Sequence, residues 1–449
     1  MISADAVSIV APATPWGRSA LAVVRLSGVD LLSQVEPWLV PLRPGPWQSN
    51  QGRRVQVMDG SNVLDDGVAV WCQGPRTYTG EDTLEISCHG NPLVVERLVQ
   101  LAQSVGIRLA EPGEFTRRAL VNGKLDLLKA EAVHQVASAS SLAGLAVARD
   151  AMDGHLGQAM TDIRRQLIAI ASELEARLDW PSDELALDSD AEVVERLQGL
   201  SLRCRAIAGT AEAGRVQVHG ARVALVGPVN AGKSSLFNRL LGQPRALVHD
   251  QPGTTRDVVE STCTIDGLAI TLLDTAGERE TSDPVEAAGL ALGRDLVAEV
   301  DALIVVVPAR AGGVTEPESA LLERTASTPR LQVCNGLDRP GTRVPGSDWL
   351  GTSAVTGEGV DALKAALKTL LVGQAPRAAE VRIASQRQAG RLRAVAQACT
   401  DAVDGLPVAG VAVAADAVIE AIEALDALTG ADSREDVLDA VFARFCIGK

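Results

Sequence analysis

The chain has 449 residues, of which 46% are hydrophobic, and its 42 basic and 57 acidic residues give a formal net charge of −15. This length leaves room for about three domains, and no apolar run approaches the roughly 18 uninterrupted residues that a membrane span requires. The acidic balance argues against a protein that coats nucleic acid nonspecifically. An aromatic content of 2% argues against stacking platforms for single-stranded bases.

The cysteines and the first residues indicate a cellular compartment. Seven cysteines are scattered from Cys72 to Cys446 without a Cys-x-x-Cys motif, which predicts reduced thiols and no structural zinc. The start of the chain lacks the basic segment of a signal peptide, so we expect a cytoplasmic protein with no membrane association. Cys88 and His89 could form half of a metal site, but no second pair accompanies them. A structural histidine at a strand end is the favoured interpretation.

Residues 1–120 have the pattern of an α/β domain. Its predicted strands are Val7–Ala11, Leu21–Arg25, Gly67–Cys72 and Thr83–Ser87. A helix is predicted over Pro92–Ser104, because Val95, Leu98 and Leu101 share one face.

Residues 121–216 and 374–449 have a helical pattern. Apolar residues recur at steps of three and four, which indicates a bundle core; they are Met152, Leu156, Ile163, Leu167, Ile170, Leu174 and Leu178. After a break at Trp180-Pro181, a second helical run covers Ala191–Ala213, and a third covers Ala378–Phe445. We therefore predict a discontinuous all-α domain, with residues 217–373 inserted as a separate domain.

The inserted segment opens with a phosphate-binding motif. Gly227–Ser234, with the sequence GPVNAGKS, lies between a strand-like run and a helix-like run. In such a loop the backbone N–H groups surround the phosphates, Lys233 contacts the β- and γ-phosphate oxygens, and the Ser234 hydroxyl binds Mg²⁺. A glycine-rich turn with no nucleotide is the alternative.

Four further motifs follow in the order of a P-loop (Ras-like) GTPase. Pro252–Asp257 offers a threonine that can bind Mg²⁺ only while the γ-phosphate is present. Asp274–Gly277 supplies a carboxylate behind Mg²⁺ and a γ-phosphate sensor. Asn335–Asp338 stands where guanine is recognised, and Ser353–Gly359 matches the last base-contacting loop. Because Asp338 suits guanine rather than adenine, a P-loop kinase or ATPase is disfavoured.

The residues predicted to contact GTP lie in these motifs, next to Ser234, and in the three residues that precede Pro252. They are Asn230, Ala231, Gly232, Lys233, Ser234, Ser235, His249, Asp250, Gln251, Pro252, Gly253, Thr254, Thr255, Asp274, Thr275, Ala276, Gly277, Asn335, Asp338, Ser353 and Ala354, with Ser234 and Thr255 as the Mg²⁺ ligands. Gly336 replaces the lysine whose aliphatic stem usually covers the purine. We therefore expect a reduced affinity for GTP, while Asp338 keeps the preference for guanine. Glu278 stands where Ras-like proteins have a water-positioning glutamine.

Segments outside the GTPase motifs carry a more specific resemblance. They are Ala13–Arg18 with Val24–Gly28, Tyr78–Asp82 through Glu85 to Cys88–Gly90, Glu111–Ala119 running into Asn122–Asp126, and Phe445–Lys449. With the GTPase motifs, they resemble the MnmE (TrmE) family of tRNA modification GTPases over nearly the whole chain.

The resemblance implies an architecture and a reaction. An N-terminal folate-binding domain drives homodimerisation, a discontinuous helical domain follows, and the inserted GTPase domain dimerises across K⁺. An FAD-containing MnmG-like partner completes a heterotetramer that adds an aminomethyl or carboxymethylaminomethyl group to C5 of the tRNA wobble uridine. The one-carbon unit comes from 5-formyl- or methylene-tetrahydrofolate.

The resemblance also assigns residues. Arg25, Glu85, Lys124 and Lys449 match the folate-binding positions, and Cys446 matches the essential tail cysteine; a small buried thiol is the alternative for Cys446. The K⁺ ligands would be Asn230, His249, Gln251 and Thr254, although His249 stands where the family often has threonine. Glu286 matches the acid that positions the attacking water, and a surface glutamate is the alternative. Gln386–Arg393 departs from the family pattern.

A second function class remains open at this point. A regulatory RNA-associated GTPase would switch conformation without modifying chemistry. Such a protein would need neither the folate-matching residues nor Cys446, and these features favour the modification enzyme.

Overall fold

The protein is described from a computed structural model, and the described residues are 7–179, 188–242, 259–274, 300–311, 313–373, 381–430, 435–443, 445 and 448. The chain forms two compact units, one made of residues 1–134 and 426–449 and the other of residues 135–425. Within the described ranges, no helix has both the length and the apolar character needed to cross a bilayer.

Strands and helices are numbered along the described chain. The strands are β1 Ile9–Pro12, β2 Leu21–Gly28, β3 Leu39–Pro41, β4 Gln51–Asp59, β5 Asn62–Cys72, β6 Asp82–His89, β7 Arg108–Leu109, β8 Ala221–Val226, β9 Val259–Ile265, β10 Leu268–Asp274, β11 Ala302–Pro308, β12 Arg330–Asn335 and β13 Trp349–Thr352. The helices are α1 Leu31–Val35, α2 Pro92–Ser104, α3 Glu114–Val121, α4 Leu127–Ser138, α5 Leu142–Met152, α6 His155–Asp179, α7 Asp190–Ala208, α8 Ala211–His219, α9 Lys233–Leu241, α10 Glu316–Arg324, α11 Val360–Val372, α12 Gln386–Ala409, α13 Val411–Thr429 and α14 Glu435–Phe442.

The first unit is built on a seven-stranded sheet with the order β3-β4-β5-β6-β2-β1-β7. The four predicted strands are confirmed as β1, β2, β5 and β6. Helix α2 has the predicted bounds, since Asn91 caps its start by accepting from the Leu93 N–H group and Pro92 occupies the first turn. Its predicted apolar face, Val95, Leu98 and Leu101, is buried in the core that this sheet covers.

The helical part of the second unit joins two distant segments of the chain. Helices α7 and α12 pack together, and the buried Ser201 hydroxyl donates to the Ala396 carbonyl at 2.8 Å. A discontinuous helical domain is thereby confirmed. The predicted apolar stripe needs correction at its ends: Met152 closes the preceding helix α5, and Leu178 is 52% exposed.

The inserted domain is a six-stranded sheet with the order β13-β12-β11-β8-β10-β9. All neighbouring strands run parallel except β9 and β10. Strand β11 is almost wholly buried, as its continuous apolar run predicts. Because β8, β10, β12 and β13 all end at the same edge, the loops that follow them converge there. The α/β multidomain class, with a mainly parallel sheet inserted between the two helical segments, is therefore confirmed.

Candidate functional site

The phosphate-binding motif forms the expected link between strand β8 and helix α9. Lys233 begins the helix and is buried, and its ammonium donates to the carbonyls of Gly227 at 2.9 Å and Pro228 at 3.0 Å. Burial lowers the pKa of Lys233, and the charge of Asp274 at the end of β10 opposes that effect. The Lys233 ammonium is therefore held against the backbone at the start of the phosphate-binding loop.

Asn230, Ser234 and Ser235 occupy the loop and the first turn of α9. Asn230 has a φ of 62°, in the left-handed region that few residues other than glycine adopt. The first N–H groups of a helix have no partner within the helix, and they suit an anion such as phosphate. The local backbone thus fits a nucleotide phosphate tail.

Asn335, the last residue of β12, connects the phosphate loop to the last base-contacting loop. Its Nδ2 donates to the Ala231 carbonyl at 3.3 Å, and its Oδ1 accepts from the Ala354 N–H group at 3.0 Å. The Thr352 hydroxyl donates to the same oxygen at 3.3 Å. The side chain is buried, so it holds the two loops in one arrangement.

Asp338 is oriented by a serine of the last base-contacting loop. The Ser353 hydroxyl donates to Asp338 Oδ1 at 2.6 Å and accepts from the Thr356 N–H group at 3.1 Å. This hydrogen bond is the main reason that the pKa of Asp338 lies below its ordinary value. The carboxylate is therefore ionised near neutral pH and can accept two hydrogen bonds from a guanine edge.

Several predicted site residues lie outside the described residues. They are His249, Asp250, Gln251, Pro252, Gly253, Thr254, Thr255, Thr275, Ala276, Gly277, Glu278, Glu286, Cys446 and Lys449. Their roles in Mg²⁺ and K⁺ binding, in water positioning and in the tail stay predictions.

In the first unit, Arg25 and Glu85 face each other across neighbouring antiparallel strands. They are register partners on β2 and β6, and Arg25 Nε donates to Glu85 Oε1 at 2.8 Å. Arg25 Nη1 donates to the carbonyl of Gly448 at 3.1 Å, and the guanidinium lies 5.8 Å from the ring centre of Phe115. Two predicted folate-binding residues are thus in contact, with the residue before Lys449 beside them.

Lys124 contacts the turn that precedes β6. Its ammonium donates to the carbonyl of Pro75 at 2.7 Å, in the turn before β6. The nearby Tyr78 hydroxyl is paired with Thr116 at 2.9 Å, and the charge of Arg25 acts on that phenol. A cation, a carboxylate and aromatic rings in one region match the chemistry of a folate, whose glutamate tail is anionic and whose pterin carries N–H groups.

The sequence analysis missed a buried ionic network next to this site. The side chain of Arg118 is only 7% exposed and forms ion pairs with Glu81 and Glu114, each at 2.9 Å. Burial would raise the pKa of Glu114, but hydrogen bonds from Arg108, the Glu111 N–H group and Arg118 outweigh it and leave the pKa lowered. Glu81 also accepts from Ser27 at 2.8 Å. The network therefore joins α3 to the residue that precedes β6.

Cys88 and His89 lie at the end of β6, and each side chain has a partner on a neighbouring strand. Cys88 is buried, which raises the pKa of its thiol to about 11, and His89 Nδ1 lies 2.6 Å from Asp65 Oδ1. In the part of the chain that the structure describes, no group of three or more His, Cys, Asp or Glu side chains could hold a metal ion.

Comparisons with known proteins agree with this geometry. The family model described as GTP-binding protein TrmE N-terminus matches residues 8–124, and the MnmE helical domain model matches residues 127–446. The tRNA modification GTPase MnmE of Roseiflexus castenholzii is 38% identical over 98% of this chain and 99% of its own length. The Myxococcus xanthus protein of the same name is 39% identical over the full length of both chains. A solved G domain of the T. maritima FeoB iron transporter covers 33% of the chain with 27% identity and a TM-score of 0.26, too low to carry an argument.

Proposed function

The chain belongs to the tRNA modification GTPase MnmE family, and on this basis we propose that it hydrolyses GTP in the course of modifying tRNA. The observation that carries the proposal is the arrangement around Asp338 and Asn335. A carboxylate fixed by Ser353 stands beside a loop that Asn335 ties to the phosphate-binding backbone. A bound GTP would contact the Asp338 carboxylate with its guanine and the phosphate-binding backbone with its phosphates.

Guanine selectivity follows from hydrogen-bond matching. The ionised Asp338 carboxylate can only accept, and guanine offers two adjacent N–H donors at its edge. Adenine lacks that donor pair and would leave the carboxylate unpaired, which costs far more than a missing apolar contact. We therefore propose GTP and GDP as ligands and exclude ATP.

For hydrolysis we propose Ser234 and Thr255 as Mg²⁺ ligands, with Asp274 behind the ion. The buried position of Lys233 and the nearby Asp274 support this assignment. Mg²⁺ supplies charge neutralisation at the β- and γ-phosphates. Asn230, His249, Gln251 and Thr254 would bind K⁺ in place of an arginine finger, and Glu286 would orient the attacking water.

For the modification we propose that Arg25, Glu85, Lys124 and Lys449 bind 5-formyl- or methylene-tetrahydrofolate, with Cys446 at the one-carbon unit. The contact of Arg25 with both Glu85 and Gly448 supports this assignment. The product would be a wobble uridine with an aminomethyl or carboxymethylaminomethyl group at C5. A homodimer, an MnmG-like FAD partner in a heterotetramer and a cytoplasmic location complete the proposal.

Reconstitution tests the proposal. The purified protein, an MnmG-like flavoprotein, tRNA, GTP and the folate are combined in KCl or in NaCl, and wobble nucleosides and released phosphate are measured. We expect modified uridine that depends on GTP and on this protein, with faster hydrolysis in KCl. GTP hydrolysis without any modified uridine would instead support a regulatory GTPase, and equal rates in the two salts would contradict the K⁺ site.

A further inference from the structure

Gly336 leaves one face of the predicted guanine site without a side chain. It follows strand β12 with a φ of 106°, and its N–H group donates to the Thr352 carbonyl at 2.8 Å. The lysine expected at this position would cover the purine with its stem. In this chain another group has to cover that face, or the base stays exposed to water.

The side chain of Arg339 lies against the place where the first carbon of the missing stem would be. Its Nε, Cδ and Cζ atoms lie 3.7, 3.8 and 3.9 Å from the position of an ideal Cβ on Gly336. These are ordinary van der Waals distances, so the arginine lies directly against the vacant position.

The backbone of Arg339 is fixed while its guanidinium is available. Its N–H group donates to the Gly336 carbonyl at 3.1 Å, and its carbonyl accepts from the Thr342 hydroxyl at 2.8 Å. The residue is exposed. Among the residues that the structure describes, its guanidinium has no hydrogen-bond or ion-pair partner within bonding distance, although its charge acts on the neighbouring Asp338.

We propose that Arg339 lays its planar guanidinium over the face of the guanine that Asp338 holds by its edge, in place of the lysine stem. This inference rests on the proposed GTP binding. Guanidinium planes stack on flat π systems, including nucleobases, and the attraction grows as water is excluded. Arg339 would then offset the loss of affinity expected from Gly336.

Titration of the full-length protein with GDP and with inosine diphosphate tests the inference. Inosine lacks the 2-amino group that Asp338 would bind but has nearly the same ring face. Arg339→Ala should therefore weaken both nucleotides by the same factor, about fivefold. Arg343→Ala is the matched control, because it removes an exposed arginine of the same segment and should leave both affinities unchanged.

Each other outcome has a distinct meaning. Unchanged affinities in Arg339→Ala, or an equal loss in Arg343→Ala, would overturn the inference. A loss for GDP alone would show that Arg339 acts by orienting Asp338, and would overturn it as well. A wild-type protein that binds neither nucleotide would count against the proposed function itself.

Discussion

At the scale of single residues, His89 is held at the end of β6 by both oxygens of Asp65. Its backbone N–H group donates to Asp65 Oδ2 at 2.8 Å, and its Nδ1 lies 2.6 Å from Oδ1. The hydrogen bond to Asp65 and the charge of Asp65 raise the pKa of His89 above 6.5, and Asp66 adds a smaller contribution. Folding therefore moves the titration of His89 to higher pH.

Replacing Asp65 by Asn should lower the pKa of His89, which NMR titration of the imidazole measures. Because the folded-state pKa exceeds the unfolded value of 6.5, the pair stabilises the fold fully below that pH. This contribution is lost as the pH rises through the folded-state pKa, so the difference in stability between wild type and Asp65→Asn should shrink with rising pH and then level off, leaving only what the bond from the His89 N–H group contributes. Asp66→Asn is the control and should shift the titration less. An unchanged pKa in Asp65→Asn would contradict the assignment.

The site residues divide into those that local sequence could identify and those that it could not. Lys233, Asn335 and Asp338 belong to motifs with fixed spacing, and in the structure Asn335 and Asp338 both contact the loop that begins at Ser353. Glu81 and Arg118 also stood in recognised segments, but charged residues are normally solvated and their burial depends on a distant partner. Such pairing is not visible in one stretch of sequence.

At the scale of elements, α7 and α12 are joined by a hydrogen bond between segments almost two hundred residues apart. The Ser201 hydroxyl donates to the Ala396 carbonyl at 2.8 Å and lies 3.2 Å from the Thr400 hydroxyl. Ser201 is buried, and so are Leu200 and Cys204 of the same helix. The contact is a polar link within an apolar helix interface.

Ser201→Ala should lower the free energy of unfolding by about 1 kcal/mol, because a buried hydrogen bond is lost and the Thr400 hydroxyl loses a neighbour. Urea denaturation followed by circular dichroism measures the change. Thr161→Ala is the control, since the exposed Thr161 hydroxyl donates to the Gly157 carbonyl of its own helix. An equal loss in the free energy of unfolding for Ser201→Ala and Thr161→Ala would contradict a stabilising role of the bond between α7 and α12.

Two strands that the sequence analysis missed have too few apolar residues in a regular pattern to be recognised. Strand β4 carries Arg53 and Arg54 and fully buries only Val55 and Val57 among its described side chains, so its pattern of apolar residues is weak. The strand also comes shortly after a segment rich in Gly and Pro, which favours the prediction of a loop. Strand β13 has four residues, which is too short for a periodicity. Long apolar elements such as β11 were predicted correctly, because both faces of a buried strand must be apolar.

At the scale of the whole molecule, residues from the two ends of the sequence meet in one unit. Gly448 approaches β1 so closely that an ideal Cβ on it would lie 2.2 Å from the Pro12 carbonyl, and its φ of 96° disfavours any side chain. Its own carbonyl accepts from Arg25. Phe445, three residues before Gly448, packs against two aromatic rings. Its ring centre lies 4.9 Å from that of His134 and 5.2 Å from that of Phe442.

Gly448→Ala should therefore displace Gly448 from Arg25 without unfolding the unit, because the contacts of Phe445 remain. If the folate site is assembled there, wobble-uridine modification in the reconstituted system should fall at least tenfold, as the loss of a close contact of about 1.4 kcal/mol or more implies. GTP hydrolysis should stay at the wild-type rate, since the residues proposed to contact the nucleotide lie within 217–373.

Gly410→Ala is the matched control for backbone strain. Gly410 has a φ of 89°, but nothing lies within 4 Å of an ideal Cβ there. It should lower stability as Gly448→Ala does, yet keep full modification activity. Deletion of residues 446–449 should reproduce the loss in Gly448→Ala. Wild-type levels of modified uridine in both tail variants would show that the tail is structural, and the folate assignment of Arg25 and Glu85 would then lose its support, because the tail contact is what joins their ion pair to the modification chemistry.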